Sequence, residues 1–149
     1  MRIMGLDWGE KRIGVAVSDP MGCIAQGLEI INSKGSIKAD INTIKGCAQK
    51  NNAELIVIGL PRNMDGSPGP QAEKIKAFAK RLSSITGLPV ELWDERLTTV
   101  ASEKLLIEAD MSRTKRRKVI DKMAAVLILQ GYLDYLSRKK THGPINRQI

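Results

Sequence analysis

Five uninterrupted apolar residues, Leu55-Ile56-Val57-Ile58-Gly59, constrain the fold more than any other segment. A strand with no polar alternation must be covered on both faces, the situation of an inner strand in an α/β sheet. The flanking sequence supplies the cover. Ser36 is a candidate N-cap for a helix running to about Asn51. After the run, Ile75, Phe78, Ala79, Leu82 and Ile85 recur on one helical face, and Gly87-Leu88-Pro89 stops that helix before a strand over Val90–Trp93. Upstream, Ile3–Leu6, Ile13–Val17 and Leu28–Ile31 are short segments rich in β-branched residues. The turn residues Trp8-Gly9-Glu10-Lys11 and Asp19-Pro20-Met21-Gly22 separate them, so three strands in an antiparallel meander are expected. Further helices are expected over about Thr98–Ala109 and Arg117–Ser137. The order is βββαβαβαα, a mixed α/β sheet flanked by helices, in one domain over residues 1–137 followed by a polar tail over 138–149.

Charge divides the chain. Residues 1–110 hold 14 Lys/Arg and 14 Asp/Glu, whereas residues 111–149 hold 10 and 2, so the net charge of +8 arises in the C-terminal segment. Arg113, Lys115, Arg116, Arg117 and Lys118 crowd into six positions there. Such density suits a polyanion, since neutralised phosphates release condensed counterions, although an isolated basic run is also the mark of a solvated loop. With five aromatics in the chain, phosphate contact is a better expectation than base stacking. No run is long and apolar enough for a bilayer and the N-terminus does not read as a secretory signal, so a cytoplasmic protein without a membrane partner is expected. Cys23 and Cys47 have no metal-ligand spacing and read as reduced, packed thiols.

In open α/β sheets ligands gather beyond the carboxyl ends of the parallel strands. Asp7 ends the first strand, the loop Leu60–Ser67 leaves the apolar run, and Asp94-Glu95-Arg96 ends the strand before it. Singly, an acid at a strand end is usually a turn residue. Asp121 adds a third carboxylate, because it shares a helix face with Ala124, Ala125 and Ile128. It reads equally as a first-turn acid favoured by the helix dipole. Three converging carboxylates repel unless a hard cation neutralises them, and oxygen donors suit Mg²⁺ or Mn²⁺. Lys11, Arg12, Arg62 and Arg96 lie beside these acids as candidate phosphate contacts. The single histidine, His142, is in the tail, and no Cys–His or Ser–His pattern suggests a nucleophilic enzyme.

The stretches GLDWGEKRIGVAVSD (Gly5–Asp19), VIGLPRNMDGSPGPQA (Val57–Ala72), DERLTT (Asp94–Thr99) and IDKMAAVLILQGYL (Ile120–Leu133) together resemble the YqgF/RuvX family. Its members are RNase H-like proteins described as Holliday junction resolvases and as nucleases that trim the 5′ end of the small-subunit ribosomal RNA precursor. The resemblance implies an RNase H-like fold with Asp7, Glu95 and Asp121 as metal-binding catalytic acids. It implies phosphodiester hydrolysis assisted by one or two Mg²⁺ or Mn²⁺ ions. Ile120 stands where the family pattern leads one to expect Val, a conservative change. The implied partners are structured RNA, branched DNA and the ribosome or its precursor, and a monomer and a homodimer are both compatible with the sequence. Two rivals remain open. Asp7-Trp8-Gly9 also resembles the first phosphate loop of actin-like ATPases, but the second domain and second glycine-rich loop those need are missing from the sequence. A non-catalytic RNA-binding or ribosome-assembly protein would bind RNA without metal-dependent cleavage.

Overall fold

The computed structural model describes residues 1–60, 69, 71–95 and 123–139. The expected meander is present: β1 (Ile3–Trp8), β2 (Arg12–Ser18) and β3 (Ala25–Asn32) pair antiparallel in succession. β4 (Leu55–Leu60) pairs parallel with β1, and β5 (Val90–Asp94) pairs parallel with β4. The spatial order is β3-β2-β1-β4-β5. β4 therefore runs inside the sheet, and all six of its residues are buried, as its lack of alternation requires.

Two helices connect the parallel strands. α1 (Ile37–Lys50) opens at Ser36, whose hydroxyl accepts the Ala39 N–H at 3.3 Å. α2 (Ala72–Thr86) ends at Gly87, which takes the left-handed conformation at φ 74° and donates its N–H to Ser83. Both helices cover one sheet face, where Ile41, Ile44, Ile75, Phe78 and Leu82 pack on Met4, Leu6, Ile13, Ile56 and Ile58. A C-terminal helix, α3, described over residues 123–139, covers the other face. There Ala124, Ala125, Ile128, Leu129 and Tyr132 pack on Ile3, Val57 and Trp93.

Several boundaries differ from expectation for identifiable reasons. β1 continues through Asp7 to Trp8 because the hairpin ladder persists to the Trp8–Ile13 pair, leaving residues 9–11 as the turn. β3 begins at Ala25, whose N–H is held by the side-chain carbonyl of Gln130 on α3 at 2.9 Å. α3 reaches residue 139, two positions into the expected tail. Cys23 is exposed rather than packed, whereas Cys47 is half-buried. The expected helix over 98–109, residues 117–122 of the last helix and residues 140–149 of the tail lie outside the described residues. No described helix is long and apolar enough to cross a membrane.

Candidate active site

Alternation along β1 puts Ile3, Gly5 and Asp7 on one face of the sheet. A Cβ built on Gly5 would come within 2.7 Å of Leu129 Cβ and 3.3 Å of the Ala125 carbonyl, so this is the face against which α3 lies. Asp7 thus points to the α3 side at the carboxyl end of β1. Since Leu6 pairs with Ile58, Asp7 stands level with Gly59 on the neighbouring strand, about 4.8 Å away between backbones.

Glu95 reaches the same place from the other side. Gly59 pairs with Trp93, and Trp93 packs beneath α3. Glu95 follows β5 directly, two positions beyond Trp93 and so on the same face. Its Oε1 lies only 2.8 Å from where a Gly59 Cβ would be, and that Cβ would also collide with Ile128 Cδ1. The absent side chain at position 59 is what leaves room for a carboxylate between the strand end and the helix. Asp94 alternates to the opposite face. Asp7, Asp94 and Glu95 each interact with a neighbouring group.

The structure therefore places Asp7 and Glu95 on one face, at one edge, on either side of Gly59. Among the described residues no three of His, Cys, Asp and Glu come together as a metal-holding group. The third expected acid, Asp121, lies outside the described residues, as do Arg62, Arg96, Arg113, Lys115, Arg116, Arg117 and Lys118. Their helix partners are described: Ala124, Ala125 and Ile128 are all 0% exposed, the small-residue stripe on which the expectation for Asp121 rested. Among the described residues the side-chain donors facing α3 at this edge are carboxylate oxygens, with Gly59 holding the space open, and these suit a hard divalent cation.

The other expected contacts are mixed. Lys11 is exposed in the β1–β2 turn, and Arg12 opens β2 opposite Asn32, at the same end of the sheet as Asp7. That turn is not purely cationic. Glu10 pairs with Lys74 of α2 at 2.9 Å, which holds its carboxyl below the usual range. The start of α2 has no side-chain cap at Gln71, and its Ala72 N–H is bonded to the Gly69 carbonyl at 3.1 Å. The part played by Gly59 was not among the expectations from the sequence. A glycine inside an otherwise β-branched strand is the signal that could have found it, because such a glycine marks close backbone approach.

The chain as a whole matches a known family and known structures. The family described as "RuvX: Holliday junction resolvase" matches residues 1–135. A protein of Pelotomaculum thermopropionicum named "Putative pre-16S rRNA nuclease" is 59% identical over 140 residues, covering 94% of this chain and 91% of its own. A protein of the same name from Clostridium kluyveri is 54% identical over 138 residues, covering 93% of this chain and 100% of its own. Among solved structures, Thermus thermophilus RuvC in complex with a Holliday junction substrate superposes with a TM-score of 0.57 at 13% identity, covering 91% and 96% of the two chains. The fowlpox virus Holliday junction resolvase does so with a TM-score of 0.51 at 18% identity, covering 91% and 99%. At such identities the likeness concerns the fold, an RNase H-like mixed sheet flanked by helices.

Proposed function

Because the chain belongs to the RuvX family of Holliday junction resolvases, we propose that it is a divalent-cation-dependent nuclease with Asp7, Glu95 and Asp121 as its metal-binding acids. The observation that carries this reading is the pair of acids converging over Gly59 from β1 and from the end of β5. Two carboxylates fixed on rigid strands would repel each other, and a bound cation turns that repulsion into binding energy. Asp121, by its sequence spacing from Ala124, Ala125 and Ile128, is the third acid in this reading. Mg²⁺ or Mn²⁺, as one ion or two, contributes Lewis acidity, lowering the pKa of water and offsetting the charge that builds on the phosphate.

The rest is done by the chain. Asp7 and Glu95 hold their positions because strand pairing and the α3 contact leave little freedom. Lys11, Arg12, Arg62, Arg96 and the run Arg113, Lys115, Arg116, Arg117, Lys118 bind phosphates and orient the backbone, which gives affinity without base preference. Precursor 16S rRNA, in the cytoplasm and on the ribosome precursor, is the substrate in this reading, carried over from the names of relatives above half identity. Branched DNA is the second substrate, carried over from the family description.

The test is to challenge the purified protein with precursor 16S rRNA fragments and four-way DNA junctions, each with Mg²⁺, Mn²⁺ or chelator. Metal-dependent cleavage of the rRNA 5′ region is expected. Binding of both nucleic acids with no cleavage under any metal would instead establish the non-catalytic RNA-binding protein.

A further inference from the structure

Among the described residues charge is sorted by layer in a way the linear sequence conceals. Segment 33–50, which contains α1, holds four lysines and one acid; segment 71–87, which contains α2, holds three lysines, one arginine and one acid. The acid of α1, Asp40, is only 5% exposed and turned inward, accepting from Ser33 Oγ at 2.6 Å and from the Lys34 N–H at 3.0 Å. The outer surface of this layer thus presents eight cations against one exposed carboxylate of its own, Glu73, which pairs with Lys76, and Glu10 of the β1–β2 turn pairs with Lys74, leaving six cations over. The other described residues carry the opposite balance, five cations to nine acids. Solvated helix faces ordinarily intersperse the two signs, and a large single-sign field is the footprint of a steered, oppositely charged partner.

The seam between α1 and α2 gives that field a shape. At the end nearest the carboxylate edge is a cavity of about 430 Å³, lined in part by Trp8, Arg81 and the ion pair Lys74–Glu10. At the far end is one of about 330 Å³, lined in part by Lys45, Asn52 and Thr86. Both cavities lie along α1, whose 14 residues span about 21 Å at 1.5 Å per residue. Trp8 follows Asp7 in β1 and faces the other way, so the seam starts where the candidate active site ends, over the tip of one strand. The one aromatic of the two helices, Phe78, is 1% exposed, and the half-buried Trp8 at the near cavity is the other aromatic described along the seam, so this face offers chiefly phosphate contacts.

We propose that the outer face of the α1/α2 layer is a second nucleic-acid docking surface, taking the phosphate backbone of a helical arm that runs away from the bond being cut. Arg81 lines the cavity nearer the carboxylate edge and Lys45 the farther one, with Lys38 and Lys80 on the same two helices. The identity of the polyanion rests on the nuclease reading; the surface itself does not depend on the carboxylates. The backbone phosphate is common to an RNA helix and to an arm of a DNA junction.

The experiment measures binding in chelator, where cleavage plays no part. Affinities for an RNA duplex and for an immobile four-way DNA junction are taken over a range of salt, for the wild type and two double variants. In one, Arg81→Gln is combined with Lys45→Gln; in the control, Arg138→Gln is combined with Lys139→Gln at the exposed end of α3, with the same loss of charge. The seam variant should bind about tenfold more weakly near physiological salt, and its log–log salt slope should fall by about two, one unit per lost contact. The control should match the wild type. A loss confined to RNA or to the junction upholds the surface and identifies its arm. Equal effects in both variants, or none in either, overturn it. So does a seam variant that releases phosphatidylglycerol vesicles while keeping its nucleic-acid affinity, since the face then belongs to a membrane. If the first pair fails to fold, as judged by its thermal midpoint, Lys38→Gln with Lys80→Gln carries the same test. Failure of the active-site reading shows separately, as cleavage that survives loss of Asp7.

Discussion

The two faces of the sheet are packed by different means. Beneath α1 and α2 the contacts are made by bulky side chains: Phe78, Leu82, Ile41 and Ile44 fill the space over Met4, Leu6, Ile56 and Ile58. Beneath α3 the strands offer Gly5 and Gly59 and the helix offers Ala124 and Ala125. An added Cβ on either glycine would meet α3 atoms at under 3.0 Å. The first face holds its helices off at side-chain length and presents their cationic exteriors to solvent. The second draws a helix backbone down onto the strands, at the edge where the acids are. Ordinary hydrophobic bulk is enough for stability; close approach is used where a geometry has to be fixed.

Removing an acid should separate function from folding most sharply. Asp7→Asn or Glu95→Gln preserves shape but deletes charge that the proposed cation site needs, and losing several kcal/mol of transition-state stabilisation would mean roughly a thousandfold slower cleavage. The thermal midpoint should hold or rise, because a repulsive pair has lost one member. Single-turnover cleavage and melting on one preparation would decide it, and a variant that simply unfolds would mark the acid as structural.

Truncation on the other face should do the reverse. Leu82 is fully buried beneath α2, and Leu82→Ala should cost roughly 2–5 kcal/mol of stability. Cleavage per folded molecule should stay near wild type. If kcat dropped as far as with Asp7→Asn, the two faces would not be independent.

Gly59→Ala sharpens the comparison from the α3 side. Its methyl group must push Ile128 or Glu95 aside, an overpacking cost of about 1–3 kcal/mol. Although milder in denaturant melts than Leu82→Ala, it should depress cleavage more, through kcat rather than KM. Gly5→Ala carries a comparable clash with Leu129, farther from the acids, and should affect cleavage less. Equal kinetics for the two glycine variants would count against a special place for Gly59.

The smallest effect concerns the thiols. Burial first, and then the carboxylate of Glu29, push the Cys47 thiol up to about 11, whereas Cys23 is exposed. At pH 8 a disulfide reagent should label Cys23 quickly and Cys47 slowly. Because the fold favours the neutral thiol, this contribution to stability is fully present below the ordinary thiol pKa of about 8.5 and is lost as pH rises toward 11. Cys47→Ala should flatten the decline in melting temperature over that alkaline window.

What could be read from the sequence was what neighbouring residues decide. Ser36 as a cap, Gly87 as a stop and the apolar run of β4 are local signals, and each stands where it was expected. Asp7 and Glu95 were legible as strand-end residues once the parallel strands were recognised. The clearance at Gly59 was not, because it depends on Ile128, 69 positions later, and on the register that sets Gly59 against Trp93. The cationic layer was hidden for a similar reason. Residues 1–110 balance 14 cations with 14 acids, and only the fold gathers seven of those cations onto two helices of one face, with Lys34 just before the first.

The parallel pairing of β1 with β4 also has a consequence for the timing of synthesis. Ile3 pairs with Leu55, 52 positions later, and Glu95 emerges only after β5. A nascent chain that has made the β1–β2–β3 meander holds Asp7 on a strand with one open edge and no second acid near it. Such pairings across long separations form late, because the loop between them must first close. A protein synthesised beside ribosomal RNA therefore cannot bring these two acids together until about two-thirds of its chain has been released to fold.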